Sequence, residues 1–154
     1  MSRSESLDIL IDESRKARDN AGRALAEERS ASAQTNGQLD ALQRYRSEYC
    51  ERLQQAMAEG ISASTLADYN RFIESLDGAI ARARDVLAQQ QDKVASTSEH
   101  WRHHQSKLTS FSALETRRAQ LEQRKEARRE LRQADEMTQN LIARRALRNG
   151  NNPF

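Results

Sequence analysis

The run HWRHH at residues 100–104 is the one cluster of side chains in the sequence that could hold a metal. On a helix, His100 and His104 share a face, with His103 beside them, and imidazole nitrogens are common ligands of divalent metals. However, two or three histidines without a carboxylate partner form a weak site. Trp101 in a helix seam, with solvated histidines around it, explains the run as well. The sequence therefore predicts no metal and no cofactor.

Other patterns that carry chemistry are missing from the sequence. It contains no phosphate-cradling glycine loop, no nucleophile elbow and no paired-cysteine metal motif. Cys50 is the single cysteine and cannot form an internal disulfide, which suits a reducing compartment. We expect Cys50 to be a passive edge residue rather than a reactive thiol.

The composition points to long helices rather than to a compact globular core. The chain has 154 residues, of which 31% are charged and 5% are aromatic, and its mean hydropathy is −0.95. Such polarity also fits disorder, but Ala, Gln, Glu, Arg and Leu recur at helical spacing, which favours a coiled coil. No apolar run is long enough for a membrane span or a secretory signal. The sequence predicts a cytoplasmic protein without direct membrane insertion.

Apolar residues follow a 4-3 spacing along two stretches of the chain. The first stretch runs from Leu7 to Ala56 and the second from Tyr69 to Glu115, with apolar residues at most of the positions. Polar residues such as Arg18 and Glu28 weaken the first half. This heptad pattern is typical of helices that wind around a partner helix.

The two stretches are separated by EGISAS, residues 59–64. Gly60 suits the left-handed position that ends a helix, and Ser62 or Ser64 can cap the next one. A connection this short turns the second helix back along the first.

The predicted fold is all-α, a single long two-helix antiparallel coiled-coil hairpin with unequal arms. Since two helices form no pocket that excludes water, we expect that the protein is not an enzyme. The predicted boundaries are a first arm over about 5–58, a turn at 59–63, a second arm over about 64–146 and a disordered tail at 149–154.

Aromatic residues near the turn fall on one side of the predicted hairpin. The turn places residue 49 opposite 72 and residue 45 opposite 76, while the other edge holds polar residues such as Gln43 and Asp77. A one-sided apolar patch usually marks a binding surface, although the rings could also merely thicken the coil. We name this surface the turn-end strip and define it by Gln38, Leu42, Tyr45, Tyr49, Phe72, Leu76, Ala79 and Ala83.

The last quarter of the chain carries the basic surplus. Residues 115–154 hold ten basic and six acidic side chains. No aromatic residue is interleaved in the basic region 117–132 for base stacking, so nucleic-acid binding is the weaker interpretation. A solvated helix face, or contact with an acidic protein ring, fits as well.

The run LDALQRYRSEYCERLQQAMAEGISASTLADYNRFIESLDGAI, residues 39–80, strongly resembles the FliJ family of the flagellar type III protein-export apparatus. Its signature is Y-x-x-x-Y at 45–49, M-x-x-G-I at 57–61 and Y-x-x-F-I at 69–73. Looser similarity continues through 92–108 and 142–148, so the resemblance covers most of the chain. The histidines of HWRHH depart from the family, which usually has other polar residues around that tryptophan.

The resemblance implies a cytoplasmic coiled-coil stalk that is peripherally associated with the inner-membrane export apparatus. Such a stalk would promote assembly and activity of the ATPase ring and link the ring to the export gate. The resemblance implies that the open end of the hairpin, formed by the N-terminal and C-terminal helix segments, enters the ring of the hexameric export ATPase, FliI. It also implies that the turn-end strip binds the cytoplasmic domain of the export gate protein FlhA, and that the protein escorts export chaperones. The ATPase-ring contacts expected with it are Arg117, Arg118, Arg124, Lys125, Arg128, Arg129, Arg132, Arg144 and Arg145. The alternatives are the equivalent stalk of a virulence type III secretion system, a generic coiled-coil scaffold and a nucleic-acid-binding coil.

Overall fold

The computed structural model describes residues 2–151 and contains two α-helices. Helix α1 spans Arg3–Glu59 with 57 residues, and helix α2 spans Ala63–Gly150 with 88 residues. Between residues 2 and 151 there is no strand, and neither helix is apolar enough along its length to cross a membrane. The prediction of an all-α fold, with two long helices of unequal length that pack against each other, is confirmed.

A reciprocal cap starts α1 slightly before the expected residue 5. The Glu5 N–H donates to Ser2 Oγ at 3.3 Å, and the Ser2 N–H donates to Glu5 Oε2 at 3.1 Å. This capping box satisfies two N–H groups that have no partner within the helix. The spacing S-x-x-E at residues 2–5 therefore explains why the helix begins at Arg3.

Only residues 60–62 separate the two helices. Gly60 has φ 90°, and its N–H donates to the Met57 carbonyl at 3.3 Å. Ser62 caps the N-terminus of α2, because its Oγ accepts a hydrogen bond from the Thr65 N–H at 3.2 Å. Gly60 thus occupies the left-handed position that its sequence context predicts, and the cap is Ser62 rather than Ser64.

Two compact units make up the chain. The first is Glu13–Lys107, and the second combines the residues up to Asp12 with those from Leu108 onward. Within the first unit the pairing is antiparallel, since Tyr49 stacks on Phe72 near the turn and Arg18 Nη1 donates to Gln105 Oε1 at 3.3 Å. The register predicted from the turn is therefore the one that the first unit adopts.

Burial follows the 4-3 spacing. Within the two predicted stretches, each residue that falls on the 4-3 spacing is buried or half-buried, except Arg46 and Glu115. One polar residue in the seam of the first unit finds a hydrogen-bond partner on its own helix. The buried Thr35 hydroxyl donates to the Ala31 carbonyl at 3.1 Å. The buried apolar residues of this unit are Ala21, Leu25, Leu39, Leu76 and Ile80.

The second unit has a small core and a long exposed segment of helix. Leu7, Ile11 and Leu108 form its buried cluster, with Phe111 packed against it. From residue 113 to residue 151 every residue is exposed, and we call this range the C-terminal segment.

The end of α2 differs from the sequence prediction. The second arm was expected to end near residue 146 and a disordered tail to begin at 149, but α2 continues to Gly150. The sequence has no proline before Pro153 that would break the helix. In the last turn, the positive charge of Arg148 interacts favourably with the negative end of the helix dipole. The part of the predicted tail at 152–154 lies outside the described residues.

Candidate partner-binding surfaces

An aromatic cluster lies at the end of the turn-end strip that is nearest the turn. The Tyr49 ring lies close to two rings of α2, with its centroid 4.2 Å from that of Phe72 and 6.3 Å from that of Tyr69. The Arg52 guanidinium carbon lies 5.3 Å from the Tyr49 centroid, within reach of a cation–π contact. Two helices are too thin to cover these rings, so the cluster remains open on one side.

The strip residues differ in how much surface they offer to a partner. Tyr45 is 56% exposed and Phe72 is 42% exposed. Leu76, which was expected to face a partner as a member of the strip, is only 8% exposed. Its d position points into the seam between the helices, so Leu76 supports the strip from beneath. Gln38 is exposed, whereas the remaining members are half-buried: Leu42, Tyr49, Ala79 and Ala83.

The opposite edge of the same region is polar, as the heptad register predicted. Arg46 of α1 and Asp77 of α2 form an ion pair across the seam, and Arg46 Nη1 lies 3.8 Å from Cys50 Sγ. The hydrogen bond and negative charge of Asp77 raise the pKa of Arg46 above its ordinary value. Arg46 occupies a seam position but turns outward to this partner. The apolar surface near the turn is therefore one-sided.

The basic residues expected to contact an ATPase ring all lie in the C-terminal segment, and all are exposed. Within the helix, Lys125 Nζ lies 3.9 Å from Glu122 and Arg129 Nη1 lies 3.8 Å from Glu126. Such long, solvated i,i+3 pairs contribute little and leave the cations available to a partner. Arg118 also lines a groove beside the first turn of α1.

The C-terminal segment carries an apolar stripe that was not expected from the sequence. Leu131, Leu141 and Ile142 are each more than 60% exposed, and Met137 beside them is 67% exposed. The signal in the sequence is that residues 131, 134, 141 and 142 return to one face of a helix, which the high density of arginine obscures. We define the apolar stripe as Leu131, Ala134, Leu141 and Ile142. At 100° per residue, these four residues fall within an arc of about 100° on the helix.

The histidines of α2 contact one another. His104 Nε2 and His100 Nε2 are 3.2 Å apart, and their rings are nearly perpendicular at 86°. Desolvation, together with the charges of His100, His103 and Lys107, lowers the pKa of His104 below its ordinary value. Across residues 2–151 no group of three or more histidine, cysteine or acidic side chains is placed to hold a metal.

Comparison with known proteins identifies the family. Residues 3–147 of the chain match the sequence family that is described as flagellar FliJ protein. The chain is 30% identical to the flagellar FliJ protein of Salmonella typhi over 145 residues, which is 94% of this chain and 99% of that protein. It is also 30% identical to the flagellar FliJ protein of Escherichia coli (strain K12) over 139 residues, covering 90% of this chain and 95% of the other.

A solved structure shares the fold. The YscO homologue from Chlamydia trachomatis aligns with a TM-score of 0.69, covering 96% of this chain and 94% of its own, at 16% sequence identity. That likeness shows the two-helix fold, whereas the family rests on the sequence matches along almost the whole chain. The chain therefore belongs to the FliJ family of flagellar protein-export components.

Proposed function

We propose that the protein is the cytoplasmic stalk of the flagellar type III export apparatus, peripherally associated with its inner-membrane part. In this role it promotes assembly and activity of the hexameric ATPase FliI, links FliI to the export gate protein FlhA, and escorts export chaperones. It carries out no chemistry of its own. Family membership supports the export role, and two unlike exposed surfaces in different units support two distinct contacts.

The observation that carries the ATPase contact is the C-terminal segment, the last stretch of an 88-residue helix, in which every described residue is exposed. In proteins most of the stability of a helix comes from packing of its apolar face, and the apolar face of this segment is uncovered. The apolar stripe would supply contact area, at about 25 cal/mol per Å² buried. The surrounding arginines would orient the helix toward acidic groups of the ring.

A non-catalytic helix can raise ATP turnover by binding one state of the ring more tightly than another. The shift in population is limited by the difference in affinity between the two states. Because the stripe lies on one side of the helix, a single copy would contact the ATPase subunits unequally. That asymmetry would favour different states in different subunits.

The gate contact is assigned to the turn-end strip. Tyr45 and Phe72 offer exposed aromatic surface, and large rings above a buried support are typical of residues that dominate binding energy. The polar edge with Arg46 and Asp77 would limit docking to the aromatic side. The 30% identical relatives are flagellar proteins, whereas the YscO homologue shares only the fold, so the flagellar system is favoured over a virulence system.

The ATPase proposal is tested by measuring ATP hydrolysis by the cognate FliI with increasing amounts of this protein. Two variants probe the segment: Leu141→Asp with Ile142→Asp, and Arg144→Glu with Arg145→Glu. Each should reduce the stimulation at least about fivefold, since each removes contacts of the proposed interface. The matched control, Arg29→Glu with Lys93→Glu, makes the same charge change at exposed positions of the first unit and should stimulate normally. Equal stimulation by the parent chain and all three variants would refute the assignment.

A further inference from the structure

His100 and His104 are held one turn apart on the surface of α2. Their Nε2 atoms are 3.2 Å apart in a hydrogen bond in which one imidazole donates and the other accepts. His100 is exposed and His104 is half-buried, so the pair can be reached from solvent. The shared proton lies between two imidazole nitrogens, and imidazole nitrogens are also common metal ligands.

The separation of the two nitrogens matches the bite of a chelate. Two metal–nitrogen bonds of about 2.05 Å place the nitrogens about 3.3 Å apart at a tetrahedral angle and about 2.9 Å apart at a right angle. The observed 3.2 Å lies between these values. A metal ion could therefore replace the shared proton after rotation of the rings, without a change in the backbone. The helix fixes the spacing in advance.

We propose that His100 and His104 form a bidentate surface site for a late first-row divalent metal, that is, Cu²⁺, Ni²⁺ or Zn²⁺. Imidazole favours these ions, with Cu²⁺ bound most tightly, whereas Mg²⁺ and Ca²⁺ require oxygen ligands. The remaining coordination positions are open to water, because no described third ligand completes the site. Thr97, Glu99 and His103 share a shallow hollow with His100 on the same face. The inference does not depend on the export function.

Trp101 is a built-in reporter of such binding. It is the sole tryptophan of the chain, and it adjoins His100 in sequence. A paramagnetic Cu²⁺ ion held by His100 would quench the fluorescence of this neighbouring indole. Zn²⁺ does not quench by that route, but it would compete with Cu²⁺ for the same nitrogens.

The test is a titration of the full chain with CuCl₂, followed by Trp101 fluorescence, and a competition with ZnCl₂. Thermal unfolding with NiCl₂ provides a second readout, because an ion that binds only the folded state raises Tm. Three variants are compared: His100→Gln, His104→Gln and His103→Gln. The last removes a histidine from the same turn while leaving the pair intact. Circular dichroism confirms that each variant keeps its helices.

We expect His100→Gln and His104→Gln each to weaken Cu²⁺ binding at least about tenfold and to abolish the Ni²⁺-dependent rise in Tm, since each destroys the chelate. His103→Gln should change the affinity less than about twofold, and MgCl₂ should have no effect. The proposal would be overturned by equal binding to all variants, or by a loss with His103→Gln as large as with His100→Gln.

Discussion

Trp101 of α2 packs directly against Gly22 of α1. A Cβ placed on Gly22 would lie 3.3 Å from the indole Nε1 atom and 3.5 Å from Cδ1. The largest side chain of the first unit therefore crosses the seam at a position where α1 has none. The absence of a side chain at Gly22 lets the helices approach around a half-buried tryptophan.

Substitution of this glycine should differ from substitution of Gly37, where a Cβ would meet no atom within 4 Å. A glycine inside a helix costs about 0.5–1 kcal/mol relative to alanine, so Gly37→Ala should raise the free energy of unfolding by that amount. Gly22→Ala must push back a rigid indole, so its gain should be smaller or absent, and Gly22→Val should destabilise the fold. Urea denaturation followed by circular dichroism measures all three. Equal gains at Gly22 and Gly37 would show that the indole yields freely.

Gly60 should not tolerate a side chain, although space is available there. Its φ of 90° lies in the left-handed region, and nothing stands within 4 Å of its Cβ position. An L-residue in that conformation costs about 1–2 kcal/mol, so Gly60→Ala should lower the free energy of unfolding by roughly this amount in urea denaturation. Gly60→Asn should lose less, because asparagine adopts this conformation more readily. A neutral Gly60→Ala variant would mean that the turn rearranges.

The turn-end strip should dominate binding to the cytoplasmic domain of FlhA. Tyr45 and Met57 are both 56% exposed near the turn, but Tyr45 belongs to the strip and Met57 does not. We expect Tyr45→Ala to weaken binding about tenfold or more, as loss of an aromatic anchor does, and Met57→Ala to leave it unchanged. Isothermal titration calorimetry measures both affinities. An equal loss with both variants would point to a general effect of truncation near the turn.

The two surfaces should also separate functionally. Phe72→Asp places a charge beside the Tyr49 ring and should abolish FlhA binding, because a buried unpaired charge at an interface is costly. FliI stimulation by this variant should stay close to that of the parent chain. Parallel binding and ATP hydrolysis assays decide the matter. Loss of both activities in a variant that remains helical would contradict the assignment of the two contacts to different regions.

Leu76 should act through the fold rather than through direct contact with a partner. Because it is buried in the seam, Leu76→Ala should lower the free energy of unfolding by about 2–3 kcal/mol. Leu131→Ala offers the matched control, since Leu131 is 63% exposed, and it should change stability by less than about 0.5 kcal/mol. Thermal or urea unfolding compares them. Equal stability of the two variants would show that burial at Leu76 contributes little.

The heptad pattern predicted the helices, their antiparallel pairing and the contact of Tyr49 with Phe72, because seam position and a short turn together determine register. It did not predict that Arg46 leaves the seam, since this depends on the reach of Asp77 from the other helix. The pattern likewise did not predict the fit of Trp101 to Gly22, since this fit depends on the volumes of the two residues that meet across the seam. Hydrophobic periodicity alone does not predict such pairings.

The C-terminal segment shows a different limit of prediction from the sequence. Its arginines predict a charged face, and their density obscures the apolar stripe on the same helix. The predicted end of the second arm, at about residue 146, also falls short of Gly150, where α2 ends. Asparagine and glycine each cost about 1 kcal/mol or less relative to alanine in a helix, which a continuing helix tolerates in its last turn.

The three-residue connection between α1 and α2 sets the order in which the helices can come together. Arg46 and Asp77 are 31 residues apart in sequence, whereas Arg18 and Gln105 are 87 apart. Because the entropy of loop closure rises with the logarithm of loop length, the contact near the turn costs about 1 kcal/mol less to form from the unfolded chain. We therefore expect folding to nucleate beside Gly60 and pairing of the helices to spread away from the turn. The aromatic rings near the turn would then become ordered before the contact of Arg18 with Gln105 forms.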